Sequence, residues 1–562
     1  MNSIFSRSAT FLTLVLLHSL LISTLAAQDR MTSESFFQPD QVVDIQIELD
    51  QKDRDTIRNQ SREFAQALTK ELTESPFTYV KGNVTINGLK IENVGIRKKG
   101  FLGSLDKSRP SLKIKFSEYQ DQDPIDGVDR LTLNNNKQDP SRICQYLSYK
   151  MFRDSGTVTP RCGFAKVSVN GKSLGVYSNV EAIKPPFFER GFGDGSGDYF
   201  EGTLVDFFPD WIKKFEKKNK KAKFKDLKKI AALLNEDEVD LERLEKHIDL
   251  DAFIKYWAME SLIGFWDSYC SNQNNFFIYQ NPANSKFYFV PWGTDSCFTF
   301  RSPIPPYRIV PSSVHAKAIL PNKLYRIPSV QKRYWAMLDS FLEEHWDESE
   351  LTAEIERLEE MLGEHFIESN RGSSRTFKSF KSFVNRRRGV FERERKNGAP
   401  ELKSREQKPV YFAEIGKAEI SFTTKWYKKA PLDKKDLGSV ELTLEVDGKT
   451  VEVEDVVAYA ERSKWPARGG KQPATVIFSG KRKSDGKTVT LATSFSDEQF
   501  VDGAEESTAG GIYFIDNAFM GGPGGMQMIG GTASFEKASV NDGEVIKGKM
   551  NLRITRMKTG QK

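Results

Sequence analysis

"FWDSYCSNQNNFFIYQNPANSKFYFVPWGTD", residues 265–295, is the stretch on which the reading of the chain turns. Asp267 and several asparagines stand ahead of two strand-like runs, "NFFIY" and "KFYFVPW", joined by "QNPANS". A second aspartate, Asp295, follows the Pro291-Trp292 pair. Short runs rich in Phe, Tyr, Val and Ile, bounded by Asn, Pro and Ser, mark a β-hairpin. Two readings compete. Either the two carboxylates meet at a divalent cation and a nucleotide, or Asp267 only caps a polar turn after a long helix.

The flanks help to choose. From Val42 to Phe116 the pattern alternates through "VDIQIEL", "YVKGNVTINGLKIENVGIRKKG" and "PSLKIKF", with turns at Gly82 and at Asn87-Gly88. A helix is expected in "DPSRICQYLSYKMFRDSG", with Asp139 as cap, Pro140 in the first turn and Gly156 closing it. "FAKVSVNGKSLGVYSNVE" then reads as a hairpin through Asn170-Gly171. Residues 36–185 are therefore expected as a β-rich lobe with one helix. Residues 186–396 carry apolar residues at helical spacing, with the quoted hairpin at their polar centre. A linker is read over 397–409, and alternating segments over 410–562 predict an all-β, sandwich-like domain.

Composition narrows the chemistry. A chain of 562 residues, 38% hydrophobic and 12% aromatic, has the material for two to four packed domains. Arg7, the apolar "FLTLVLLHSLLISTL" and the small residues of "TLAA" read as an export signal over 1–27, cleaved near Ala26 or Ala27. No later run is apolar enough to span a bilayer, so the expected location is secreted or periplasmic, in the cell envelope. A net charge of +6 gives no reason to expect nucleic acid as a partner. The basic run "KKFEKKNKKAKFKDLKK", 213–229, could hold anions, but reads more readily as a solvated helix or loop. Cys144, Cys162, Cys270 and Cys297 permit two disulfides after export; Cys270 and Cys297 flank the hairpin, either as a bridge that would brace it or as two buried thiols. Their spacing gives no zinc motif, and the scattered His247, His315, His345 and His365 give no triad.

A β-rich lobe with a helix, then a helical lobe with an Asp/Asn loop and a second Asp, is the order of parts in a protein kinase. Phosphoryl transfer needs a cation against the phosphates, oxygen ligands for magnesium and a carboxylate for the hydroxyl proton, and none of these is a histidine. In "VGIRKKGFLGS", "RPSLKIKF", "VSVNGKSLGVYSNVEAI", "WDSYCSNQNNFFIY" and "PWGTD" the chain resembles the spore coat protein H (CotH) kinase family, in order over roughly 42–395.

That resemblance implies a divergent two-lobe kinase-like fold, α+β overall, followed by the extra β domain. It implies an exported protein Ser/Thr kinase using ATP and magnesium, with manganese as a substitute, on a coat or envelope protein. Position by position, Lys113 resembles the lysine that reaches the ATP phosphates. Arg97 and Lys99 stand on the preceding strand, and Glu181 lies in the segment joining the lobes. Asp267 matches the catalytic aspartate. Asn275 resembles the amide ligand of magnesium, with Asn272 and Asn274 as alternatives, and Asp295 is the carboxylate ligand. Relatives usually carry Pro-Trp-Asp-x-Asp, whereas this chain has Gly293 at the first acidic position. The alternative reading is a non-catalytic kinase-like scaffold of the envelope that binds surface polymer or protein. "MGGPGGMQMIGG" (520–531) and "GDGSGD" (193–198) read as a surface loop and a turn.

Overall fold

A computed structural model describes residues 31–62, 67–300, 311–366, 374–428, 437–462, 472–497, 499–505, 507–516 and 527–558. The export signal read over 1–27 lies outside the described residues, as does most of the Gly-rich run; its last residues, from Gln527, belong to a strand.

The β-rich region closes on itself. Its strands are β1 (Val42–Glu48), β2 (Val80–Ile86), β3 (Leu89–Lys99), β4 (Ser111–Lys115), β5 (Arg130–Asn134), β6 (Cys162–Val169) and β7 (Lys172–Val180). They form a barrel in the order β1-β2-β3-β4-β5-β7-β6, sealed by the parallel β1–β6 pair. The tight turns are where Asn-Gly pairs predict them: φ is +46° and +87° at Asn87-Gly88, and +48° and +74° at Asn170-Gly171. Such turns need positive φ at both central residues, which Asn and Gly tolerate best. Alternation sends Ile45, Val84, Ile96 and Ile114 into the barrel. It leaves Arg97, Lys99 and Lys113 on the other face, with Arg97 paired to Lys113, Lys99 to Ser111 and Lys113 to Thr132.

Helix α1 (Gln51–Asn59) lies against the barrel and α2 (Cys144–Asp154) leaves it. α2 begins later than expected from Asp139. The Asp139 carboxylate accepts from the backbone N–H of Ser141 and of Cys144, both at 2.9 Å, and so fixes a turn ahead of the helix. Tyr146, Leu147, Tyr149 and Phe152 of α2 join the core of the helical region.

That region contains α3 (Pro185–Phe192), α4 (Lys225–Leu234), α5 (Leu250–Leu262), α6 (Pro328–Glu344), α7 (Glu348–Gly363) and α8 (Ser374–Arg395). Its hairpin, β10 (Phe276–Gln280) and β11 (Phe287–Pro291), is half of a larger sheet. With β8 (Tyr199–Gly202) and β9 (Glu216–Lys217) the strands run β11-β10-β8-β9.

The expected linker is fastened down. Gln407 N–H donates to Lys317 O at 2.9 Å, Arg326 Nη2 donates to Ser404 O at 2.7 Å, and Gln273 Nε2 donates to Gln407 O.

Beyond it come β12 (Tyr411–Lys425), β13 (Gly438–Val446), β14 (Lys449–Thr450), β15 (Val453–Arg462), β16 (Ala474–Arg482), β17 (Thr488–Phe495), β18 (Ser507–Ile515), β19 (Gln527–Lys537) and β20 (Val545–Lys558). The sandwich expected here is instead a barrel. The 15-residue β12 pairs with both β13 and β20, so eight strands close and only the short β14 remains as an appendage. Closure satisfies strand edges that a sandwich leaves open. Among the described residues no helix is long and apolar enough to cross a membrane.

Candidate active site

A cavity of about 340 Å³ lies between the first barrel and the β10–β11 hairpin. Arg97, Lys99, Lys113 and Thr132 line it from the barrel, and Asp267, Asn274, Asn275 and Asp295 from the hairpin side. Ala182, Ile183 and Lys184, which join the two regions, complete one wall.

The Asp267 loop is built from its own sequence. α5 ends at Leu262, and the chain turns away at Gly264, where φ is +64°. Buried Glu260 then ties the returning chain: Ser268 Oγ donates to its Oε2 at 2.9 Å and Cys270 N–H at 3.1 Å. Burial pushes the Glu260 carboxyl up to about 7. The asparagines converge on Asp267 itself. Asn272 Nδ2 and Asn274 Nδ2 donate to its Oδ1 at 2.6 and 3.1 Å, and Asn275 Nδ2 to its Oδ2 at 2.9 Å. Burial raises the Asp267 carboxyl and these donors oppose the rise.

Asp295 meets a different environment. Burial, then the charges of Asp267 and Asp139, push its carboxyl up to about 7, while Lys99 pulls the other way. Among the described residues no three His, Cys, Asp or Glu side chains converge as metal ligands. The donor set here is two carboxylates with amide oxygens. Two half-buried carboxylates, with the charge of Asp267 raising the proton affinity of Asp295, are the chemistry that a hard divalent cation relieves, so these residues fit magnesium.

The barrel wall carries the opposite sign. Burial, with Arg97 and Lys99 beside it, lowers Lys113 well below the ordinary lysine range. Burial likewise brings Lys99 down to about 8. The Lys99 ammonium stands 5.5 Å from the Trp292 ring centroid. Cations crowded around a cavity call for an anion, and a polyphosphate has the charge to meet them.

Gly293 has a local reason. Its φ is +57°, and a Cβ there would stand 2.9 Å from Asn275 Oδ1. Its N–H donates to the Tyr149 hydroxyl of α2 at 3.1 Å. The backbone therefore bends at the position where the family resemblance implies an aspartate.

Of the residues expected at the site, Asp267, Asp295, Asn275, Lys113, Arg97 and Lys99 all line the cavity. Asn272 acts from behind, through its bond to Asp267. Glu181 is elsewhere: Arg161 Nη2 donates to its Oε1 at 2.8 Å and Arg190 Nη2 to its Oε2 at 2.6 Å, so its carboxylate is committed to two arginines.

Of the two readings of Cys270 and Cys297, a bridge or buried thiols, the structure has the second: all four cysteines are free and buried. Cys297 instead lies against α2, its N–H donating to Cys144 Sγ at 3.2 Å. Cys270 packs beside Glu260.

One residue of the wall, Glu201, escapes sequence reasoning, whereas Lys214 and Lys218 belong to the basic run 213–229 and bring part of it to the cavity instead of a solvated face. Glu201 on β8 accepts from Lys218 Nζ at 2.5 Å, and both line the cavity. A four-residue strand behind a glycine-rich turn carries too short a pattern to be read.

Comparison with known proteins gives the family. The profile of the CotH kinase protein family matches residues 96–396, more than half of the chain, and the chain belongs to that family. It is 26% identical over 208 residues to the inner spore coat protein H of Bacillus subtilis, covering 34% of this chain and 55% of that one. It is 25% identical over 188 residues to the invasin CotH3 of Rhizopus delemar, covering 30% of this chain and 31% of the invasin. The chain thus spans about half the length of the first relative and a third of the second. The second barrel lies beyond the family match.

Proposed function

We propose that this chain is an exported protein kinase that transfers the γ-phosphate of ATP to a Ser or Thr hydroxyl of a coat or envelope protein. The observation that carries the reading is the meeting of Asp267 and Asp295, from the two sides of one hairpin, in a cavity whose opposite wall is cationic. The barrel and the helical region would serve as the two lobes of a kinase-like body, with nucleotide between them. The relatives' names, a spore coat protein and an invasin, support an acceptor at a cell or spore surface.

Asp295 and the amide oxygen of Asn275 would hold magnesium. When bound, the ion neutralises phosphate charge and fixes the triphosphate for in-line attack. Lys99, Lys113 and Arg97 take up the remaining phosphate charge from the barrel side. Asp267, oriented by Asn272, Asn274 and Asn275, accepts the proton of the attacking hydroxyl. The hydroxyl oxygen bonds to the γ-phosphorus, the bond to the β,γ-bridging oxygen breaks, and ADP leaves. A carboxyl raised by burial is a better proton acceptor near neutral pH than an ordinary aspartate.

A radiolabel-transfer assay with ATP and magnesium tests the reading. Asp267→Ala is expected to lower phosphotransfer by roughly 10²–10⁴-fold. Unchanged transfer by that variant contradicts the assigned role. A second reading, a kinase-like scaffold without catalysis, is favoured by Gly293, which removes a carboxylate that relatives carry. A wild type that binds ATP neither with nor without magnesium in calorimetry supports the scaffold.

A further inference from the structure

A chain of side-chain hydrogen bonds runs along the cavity wall from a barrel strand to helix α2. Lys99 Nζ donates to Asn134 Oδ1. Asn134 Nδ2 donates to Gln145 Oε1 at 2.8 Å. Lys99 is the last residue of β3, Asn134 the last of β5, and Gln145 the second of α2. Asn134 and Gln145 are buried, and all three line the cavity. We propose that Asn134 and Gln145 are positioning residues for Lys99, and that Lys99 rather than Lys113 is the lysine that meets the transferred phosphate. The second half of this inference rests on the kinase reading above.

Geometry separates the two lysines. Lys99 stands over Trp292, three residues from Asp295, and Asp295 is among the charges it feels. Glu201 acts on both lysines, whereas the charges named around Lys113 are Arg97, Lys99, Glu201 and Lys218, without Asp295. Around Lys99 itself stand Arg97 on its own strand, Lys113 on β4, Glu201 on β8 and Asp295 beyond β11. Glu201 is bonded to Lys218, so it fixes Lys99 less firmly than Asn134 does.

The relay has only one polarity. An ammonium donates and cannot accept, so Asn134 must turn its oxygen to Lys99 and its NH2 onward, and Gln145 must answer with its oxygen. Both supports are neutral. A carboxylate at Asn134 would fix the ammonium but neutralise it, whereas an amide fixes it and leaves its charge for an anion. Because α2 is embedded in the core of the helical region, the relay also ties a barrel lysine to the body that carries Asp295.

Two readouts test this, one of them free of nucleotide. The first is pH-dependent acetylation of Lys99 by acetic anhydride, followed by mass spectrometry. Asn134→Asp is expected to move the labelling midpoint to higher pH, because an adjacent carboxylate favours the charged amine. Gln145→Leu is expected to change the labelling, and Gln145→Glu, which still accepts from Asn134 but adds a charge, to move the midpoint upward by less than Asn134→Asp does. The second readout is phosphotransfer. Gln145→Leu is expected to lower kcat by roughly tenfold to a hundredfold, with a smaller change in KM for ATP, and Gln145→Glu to restore it. The proposal is overturned if Asn134→Asp and Gln145→Leu leave labelling and kcat as in the wild type. It is overturned equally if Lys113→Met abolishes transfer while Lys99→Met does not. A wild type that transfers no phosphate defeats the kinase reading and with it the role of Lys99; labelling alone then decides the relay.

Discussion

Asp295 is where sequence, burial and charge meet most directly. Its carboxyl rises from an ordinary 3.8 to about 7, so the folded protein holds that proton more tightly than the unfolded chain does. The sign follows. This group's contribution to stability is greatest below about pH 4, falls as pH rises towards 7 and is flat above it. Asp295→Asn is therefore expected to raise the denaturation midpoint at pH 8 and to change it little at pH 4, as thermal unfolding at the two pH values would reveal. A gain that is equal at both contradicts the burial and the Asp267 charge that raise Asp295. Gly293 supports a second expectation. Gly293→Asp, which would restore the relatives' motif, places a side chain at φ +57° against Asn275 and is expected to cost about 1–2 kcal/mol of stability. Denaturant unfolding measures it, and a stabilised variant refutes the account. The cavity residues were legible in sequence because Asp267, Asn275 and Asp295 lie within one short stretch. Glu181 was misleading because a carboxylate beside the joining segment reads the same whether it faces a ligand or two arginines.

Elements were read best where chemistry is local. Asn-Gly turns, the hairpin from Phe276 to Pro291 and the long apolar helix at 250–262 all follow from short-range preferences. α5 is held at its start by Asp249, whose Oδ1 accepts from Ala252 N–H at 3.0 Å and whose Oδ2 accepts from the Tyr288 hydroxyl at 3.0 Å. Asp249→Ala removes both bonds and is expected to cost about 1–2 kcal/mol, read by denaturant unfolding. No loss of stability in that variant contradicts the cap. What sequence hides is long-range. The partners of β8 lie some 75 residues away at Phe276–Tyr279, and the bond from Asn134 to Gln145 joins a strand end to a helix that packs elsewhere. Closure of the second barrel depends on β12 meeting β20 across the whole domain, which no local period reports.

At the scale of the whole molecule, the second barrel is docked rather than tethered. Tyr411 packs edge-on against Trp211 with ring centroids 5.6 Å apart, Phe412 N–H donates to Leu68 O at 2.8 Å, and Lys107 Nζ donates to Ser496 Oγ at 3.0 Å. Because the 397–409 segment is bonded along its length, trypsin is expected to cut slowly at Lys403, Arg405 and Lys408 in the folded protein; rapid release of an intact C-terminal fragment contradicts this docking. The Gln273–Gln407 bond then links that segment to the loop carrying Asp267. The central claim is that two carboxylates and a cationic wall together form a magnesium-nucleotide site. Calorimetric titration of ATP with magnesium into the wild type and Asp295→Asn tests it most directly. Magnesium-dependent binding that weakens at least about tenfold in the variant, or about 1.4 kcal/mol, is the predicted result. Equal ATP affinity in the two proteins, or affinity indifferent to magnesium, would contradict it.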